Sequence, residues 1–356
     1  MVEHSSGEVR RGPWRPPAAL VVLVGLVLLL CSVVAAVVWG SVPVPLTDVI
    51  TAVREKIVDR SASPSNALDS TIVWQLRIPR VLAAALVGAA LALAGAALQG
   101  LVRNPLADPY TLGISNGASL AAVATMSSSS ALWLRNLGVP TAAGLGAVAT
   151  LVIILYLSQR KGSLTGSRIV LAGVGVGQIA MAGTSLIQLK SEPGEIRGIL
   201  FWMMGSVAGV QDFGQLLVPT VVVVIGTGWL LLHARNLNLL TMGDDDARAL
   251  GVNVNALRLQ LIVIIAALTG MAVAVAGGVG FIGLIVPHCV RFITGPDHRL
   301  VLPGCIVFGA VLLVLIDLGS RILDIPNEYP LTIFTAALGG PFFLWLLKRS
   351  RSGGMV

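Results

Sequence analysis

"VLAAALVGAALALAGAALQGLV", residues 81–102, contains no ionisable side chain. As a helix rising about 1.5 Å per residue it covers ~33 Å, enough to cross the ~30 Å hydrocarbon core of a bilayer. The rest of the chain has the same character. Its 356 residues are 55% hydrophobic and only 12% charged, with a mean hydropathy of +0.88. A soluble domain carries about 25% charged residues, so this chain cannot cover itself with a wettable surface and belongs in lipid. Ten-residue stretches of alternating polarity, the mark of an outer-membrane barrel, are absent. The expected fold is all-α: a polytopic membrane bundle of about ten helices.

Ten apolar segments can be marked, near 18–39, 78–102, 111–127, 137–157, 168–188, 213–233, 257–276, 280–293, 301–320 and 330–347. The third and eighth are short and glycine-rich, as expected of partial or tilted spans buried in the bundle. The basic, proline-broken opening "MVEHSSGEVRRGPWRPPAAL" leads into an apolar run longer than the 7–15 residues of a signal peptide, so a retained first span is expected. The chain then divides into a tail (1–17), a membrane domain (18–347) and a second tail (348–356).

Charge sets the direction. With an even number of spans both termini share a side. That side's loops hold Arg10, Arg11, Arg15, Arg103, Arg160, Lys161, Arg168, Arg235, Arg248, Arg258, Arg291, Arg299, Lys348, Arg349 and Arg351, the majority of the 24 Lys+Arg. The positive-inside bias therefore places both ends in the cytoplasm of a multi-pass protein in the cytoplasmic membrane. Anionic lipid accounts for the net charge of +7 without nucleic acid.

"AALVGAALALAG" (84–95) and "AALTGMAVAVAG" (266–277) share A-A-L-x-G-x-x-x-A-x-A-G, and Pro105 and Pro287 follow at the same offset. The first copy runs inward and the second outward, as in an inverted repeat. Gly88, Ala92 and Gly95, with Gly173 and Gly177, supply small contact surfaces, read as packing within one subunit. "GVGFIG" (278–283) matches a dinucleotide fingerprint literally, but no βαβ unit surrounds it, and a tight bend is the better reading.

Several absences narrow the function. Segments 81–102, 136–159, 169–189 and 259–290 hold no Asp, Glu or Lys, whereas an ion-coupled transporter needs a carboxylate at depth. No lysine sits in a Walker A sequence. Cys31, Cys289 and Cys305 show no paired spacing, and His4, His233, His288 and His298 are scattered, so no metal site is expected. An intramembrane enzyme would need more than His288 beside Cys289.

Between two apolar spans lies "LTMGDDDARALGVNVNALRLQ" (240–260). Asp244, Asp245 and Asp246 suit a helix N-terminus, Ala247, Arg248, Ala249 and Leu250 suit its body, and Gly251 suits its C-terminal stop. Ala247 and Leu250 should share a face. A plain solvated linker and a docking handle both remain open on composition.

Further stretches bear on that choice: "LRIPRVLAAALVGAALALAGAALQGLVRNPLADPYTLGISNGASL" (76–120), "LAGVGVGQ" (171–178), "GGVGFIGLIVPHCVRFITGPDHRLVLP" (277–303) and "GGPFFLWLL" (339–347). Together they resemble the FecCD-type permeases, membrane subunits of ABC importers for iron–siderophore complexes, haem and cobalamin. The resemblance implies a ten-span subunit in a homo- or heterodimer, two separate ABC ATPase subunits below that bind the ATP and Mg, and an extracytoplasmic substrate-binding protein above. It implies that 244–251 is the coupling helix gripped by the ATPases. It also implies outer docking arginines at Arg77, Arg80 and Arg321, and a cytoplasmic gate at Asn104, Leu106, Gly166 and Ser167. Gly166 departs from the family's usual Thr–Ser pair, and Met242 stands where leucine is usual. The chain itself is expected to be neither enzyme nor cofactor carrier. The rival reading is a secondary transporter acting without an ATPase.

Overall fold

The computed structural model describes residues 17–57, 67–127, 136–159 and 165–352. Arg10, Arg11, Arg15, Arg160 and Lys161, which enter the charge argument, lie outside the described residues, as do most of the expected N-terminal tail and residues 353–356. Among the described residues the regular elements are helices, apart from a single bridge between Asp324 and Asn327.

Each of the ten expected segments contains a helix. In the first half these are α1 (Ala18–Val38), α4 (Ile78–Val102), α5 (Ile114–Met126), α6 (Val139–Ser158) and α7 (Gly166–Lys190). In the second they are α9 (Leu217–Leu232), α12 (Val254–Ala276), α13 (Ile282–Thr294), α14 (His298–Ile322) and α15 (Leu331–Ser352). Seven helices among the described residues are long and apolar enough to cross a membrane. As expected, α5 and α13 are not; at 13 residues each they cover only ~20 Å, and the apolar part of α15, Leu331–Leu346, also falls short. Helix α15 runs to Ser352, across the point where a tail was expected to begin. Four further helices, α2 (Leu46–Ile57), α3 (Ala67–Thr71), α8 (Pro193–Met203) and α10 (Ala234–Met242), are not among the expected segments. All four lie between spans, in stretches of mixed polarity that a search for long apolar runs passes over.

Local chemistry explains the ends that matter. A turn of π-helix (Ile72–Arg77) leads without a break into α4, and Pro79, which has no N–H to give the preceding turn, sits at that junction. Asn253 caps α12 by accepting from the Ala256 N–H at 3.1 Å, and Asp297 caps α14 by accepting from the Arg299 N–H at 2.9 Å. Between α12 and α13 the chain turns through Gly277 (φ +66°) and Phe281 (φ +68°). The glycine-rich match at 278–283 is therefore the tight bend it was read as.

The core is α4, almost wholly buried. Lipid tails are as apolar as leucine, so helices attract here by close contact. A Cβ on Gly88 would lie 2.2 Å from the Gly309 carbonyl oxygen of α14, and one on Gly95 would lie 1.9 Å from the Gly283 carbonyl oxygen of α13. The repeat accounts for this arrangement. Helix α4 packs on α14, while its counterpart α12 packs on α6, and Gly270, the repeat partner of Gly88, sits where a Cβ would be 2.7 Å from the Ala147 Cβ. Gly173 and Gly177 close on Leu112 and Gly113 of the same chain, which agrees with packing inside one subunit. The proline correspondence does not hold: Pro105 lies in a loop and Pro287 inside α13. The first half inserts an extra turn, a 3-10 helix at Pro109–Leu112, before its short helix begins.

Substituting Gly95→Leu should prevent α4 and α13 from closing, at a cost of about 1–3 kcal/mol or more. Gly144→Ala, where no atom lies within 4 Å of the added Cβ, should be neutral. Thermal unfolding in detergent, followed by size-exclusion chromatography, compares the two.

Candidate functional site

Residues 244–251 form the short helix expected of them. Helix α11 (Asp244–Ala249) starts after Gly243 and stops at Gly251, whose φ of +84° is the left-handed conformation of a helix C-terminal glycine. One detail differs. Ala247 is fully buried, but Leu250 is 61% exposed. Leu250 caps the helix at φ −91° and ψ 15°, its N–H still bonded to the Asp246 carbonyl at 3.1 Å, and its side chain lies outside the buried strip that holds Ala247. Met242 is 66% exposed just before it, and the Asp245 side chain is 98% exposed, held only by Arg248 at 3.0 Å.

Asp244 behaves differently from its neighbours. One of its carboxylate oxygens accepts from Arg103 at 2.6 Å and from Arg258 at 2.7 Å. Arg103 stands at the end of α4 and the buried Arg258 in the first turns of α12. The preceding helix, α10, is fastened separately. Asn238 donates to Asp297 at 2.6 Å, and its amide oxygen accepts from the His298 N–H at 2.9 Å. The whole segment is thus tied to the ends of α4, α12 and α14. Arg103 and Arg258 read from the sequence only as inward-facing charge: Arg103 is 141 residues from Asp244, and Arg258, 14 residues away, sits on the next helix, so neither spacing nor composition announces the pairing.

The four expected gate residues share one neighbourhood. The Asn104 side chain accepts from the Leu106 N–H at 2.9 Å, making a turn that leaves Leu106 exposed. Gly166 opens α7 alongside the end of α4, where an added Cβ would meet Val102 Cγ1 at 3.4 Å and the Leu101 carbonyl oxygen at 3.5 Å. That is ordinary contact distance, so the departure to glycine leaves the backbone where a larger residue would also fit. Ser167 is exposed beside it.

At the other end of the bundle Arg77, Arg80 and Arg321 come together, but as buried groups and not as free guanidinia. Arg77 donates to the carbonyls of Val37 (2.5 Å), Val38 (2.8 Å) and Val42. Arg80 pairs with Asp317 and Glu328, each at 2.9 Å. Arg321 pairs with Asp317 at 3.1 Å and donates to the Ala36 carbonyl at 3.1 Å. In this conformation the three expected docking arginines are engaged by internal partners. The C-terminus of α1 leaves orphan carbonyls, and Asp317 is fully buried, so both draw the guanidinia inward. Asp317 also corrects the expectation of no carboxylate within the spans. It lies in α14, flanked by two arginines.

Beside α11 a cavity of about 480 Å³ is lined by His233, Arg235, Leu250, Asn253 and Gln260 among others. Among the described residues no three His, Cys, Asp or Glu side chains group to hold a metal. His288 packs edge-on against Phe292 and Phe342, with ring centroids 4.6 and 5.8 Å away.

Residues 27–349 match the model of the FecCD transport family. The chain belongs to this family. Among FecCD-family relatives, the haemin transport system permease of Yersinia pestis is 43% identical over 78% of this chain and 84% of its own length. The vitamin B12 import system permease of Vibrio cholerae is 40% identical over 80% of this chain and 85% of its own. A solved structure, described as an inward-facing conformation of a metal-chelate type ABC transporter, superposes with a TM-score of 0.79 at 29% identity, covering 93% of this chain and 99% of that one. This FecCD-family chain is accordingly a multi-pass membrane permease of ABC type.

Removing Asp317 alone (Asp317→Ala) leaves the buried Arg321 without a carboxylate and Arg80 with only Glu328, and should destabilise the protein by about 3–5 kcal/mol. Replacing the pair together, as Arg80→Met with Asp317→Leu, should recover part of that loss. Thermal unfolding of the two variants in detergent decides.

Proposed function

We propose that this chain is the membrane half of an importer for metal chelates, worked from the cytoplasm by two separate ATPase subunits. It forms a dimer, with itself or a sister permease, around a central path. An extracytoplasmic binding protein delivers the cargo, and the path opens to one side at a time. The observation that carries this reading is the exposed, acidic α11 with Met242 and Leu250 unburied on either side. A rigid helix end that keeps apolar side chains in water fits a protein partner's cleft. The family membership and the haemin and vitamin B12 permeases among its relatives support a large chelate as cargo, and an iron–siderophore complex falls in the same chemical class.

The geometry supports a distinct role for each end. Residues 244–251 serve as the handle, and Asn104, Leu106, Gly166 and Ser167 as the inner gate. The outer arginines hold the rim together in the state described, so docking through Arg77, Arg80 or Arg321 requires them to exchange internal partners for the binding protein's carboxylates. A secondary transporter is disfavoured because Asp317 is already neutralised by Arg80 and Arg321 and so offers no free carboxylate to a coupling ion.

The test is reconstitution in liposomes with candidate ATPase subunits and a binding protein encoded beside the permease. Uptake of labelled haemin, cyanocobalamin or a ferric siderophore should require ATP, and Leu250→Asp should abolish co-purification of the ATPase. Uptake by the permease alone under an ion gradient would overturn the assignment.

A further inference from the structure

We propose that Asp244 and Arg103 form the pin through which movement of α11 reaches the inner gate; the proposal rests on the coupling role given to α11 above. Three observations meet at this pair. First, a single Asp244 oxygen takes both guanidinia, at 2.6 and 2.7 Å, so α11 cannot slide relative to α4 or α12 without breaking a charge-assisted bond. Second, the Arg258 side chain is 4% exposed, so the α12 arm is shielded from the screening that weakens surface pairs. Third, Arg103 holds its backbone at φ +54°, where glycine would be the unstrained residue. An arginine there carries that strain while its side chain reaches Asp244. Its backbone closes α4, its N–H bonding to the Gln99 carbonyl, and the next residue is Asn104, whose side chain shapes the turn carrying Leu106.

The two arms have different jobs. Arg258 anchors α11 to the bundle, since it is buried in the wall of α12. Arg103 is the transmitting arm, since its side chain is 41% exposed and its backbone is the joint between α4 and the gate turn. Asp245, almost fully exposed and held by Arg248 within α11, has no such path into the bundle. Asp244 and Arg103 are thus positioning residues that couple handle to gate, and neither touches cargo.

The experiment uses the full importer in liposomes and measures cargo moved per ATP hydrolysed, with whichever of labelled haemin, cyanocobalamin or ferric siderophore the unaltered importer takes up. Arg103→Glu, which sets two carboxylates against each other and leaves the Arg258 arm intact, should lower that ratio about tenfold, within the usual range of coupling between sites. Arg103→Lys keeps the charge and should restore the ratio to within about twofold. Co-purification of the ATPase subunits with each variant verifies that α11 is still formed. An unchanged ratio in Arg103→Glu, or a loss in Arg103→Lys as deep as in Arg103→Glu, would refute the pin while leaving the importer reading standing. If the unaltered importer moves none of the three cargoes, the importer reading itself falls and the pin with it.

Discussion

Helix α4 can approach α13 and α14 only because Gly95 and Gly88 present no side chain to the carbonyls of Gly283 and Gly309. In lipid no expulsion of water drives helices together, so this contact supplies the attraction that the aqueous hydrophobic effect would supply elsewhere. Everything else is arranged around it. The short α13 is seated against the inward half of α4 and held there by Gln99, which donates to the Gly283 carbonyl at 3.1 Å and accepts from Arg291. The end of α4 then emerges at the point where Arg103 meets α11. A packing constraint in the middle of the bundle thereby fixes the positions of α11 and of the Asn104–Leu106 turn.

The paired architecture follows the same logic. Two halves with like second helices exchange partners, α4 against α14 and α12 against α6. Each half has one short helix, and the segments leading into these two short helices meet inside the protein, where a Cβ on Gly283 would lie 2.8 Å from Pro109 Cδ. Irregular backbone in a membrane protein survives only where other protein covers it. Here each half covers the other's break.

Much of this was legible in the sequence. Long uncharged runs such as 81–102 define spans by length alone, and the short helix at 244–249 was written in its three aspartates and Gly251. The repeat showed itself at Gly88 and Gly270, which perform matching contacts. What stayed hidden were partnerships across long sequence separations. Asp244 read as one of three equivalent acids, yet it alone is claimed by two arginines. Arg77, Arg80 and Arg321 read as outward-facing cations, because nothing local reveals that the end of α1 offers them carbonyls or that Asp317 lies between two of them. Leu250 read as sharing the face of Ala247, yet it stays exposed where Ala247 is buried.

The central claim is that a charge-poor conduit is driven from the cytoplasm through α11. Its most direct test is the sidedness of a cysteine placed at Asp245, in a chain whose Cys31, Cys289 and Cys305 are replaced by alanine. A membrane-impermeant maleimide should label Asp245→Cys in inverted membrane vesicles and leave it unlabelled in right-side-out ones. Labelling from the extracytoplasmic side alone would contradict the account.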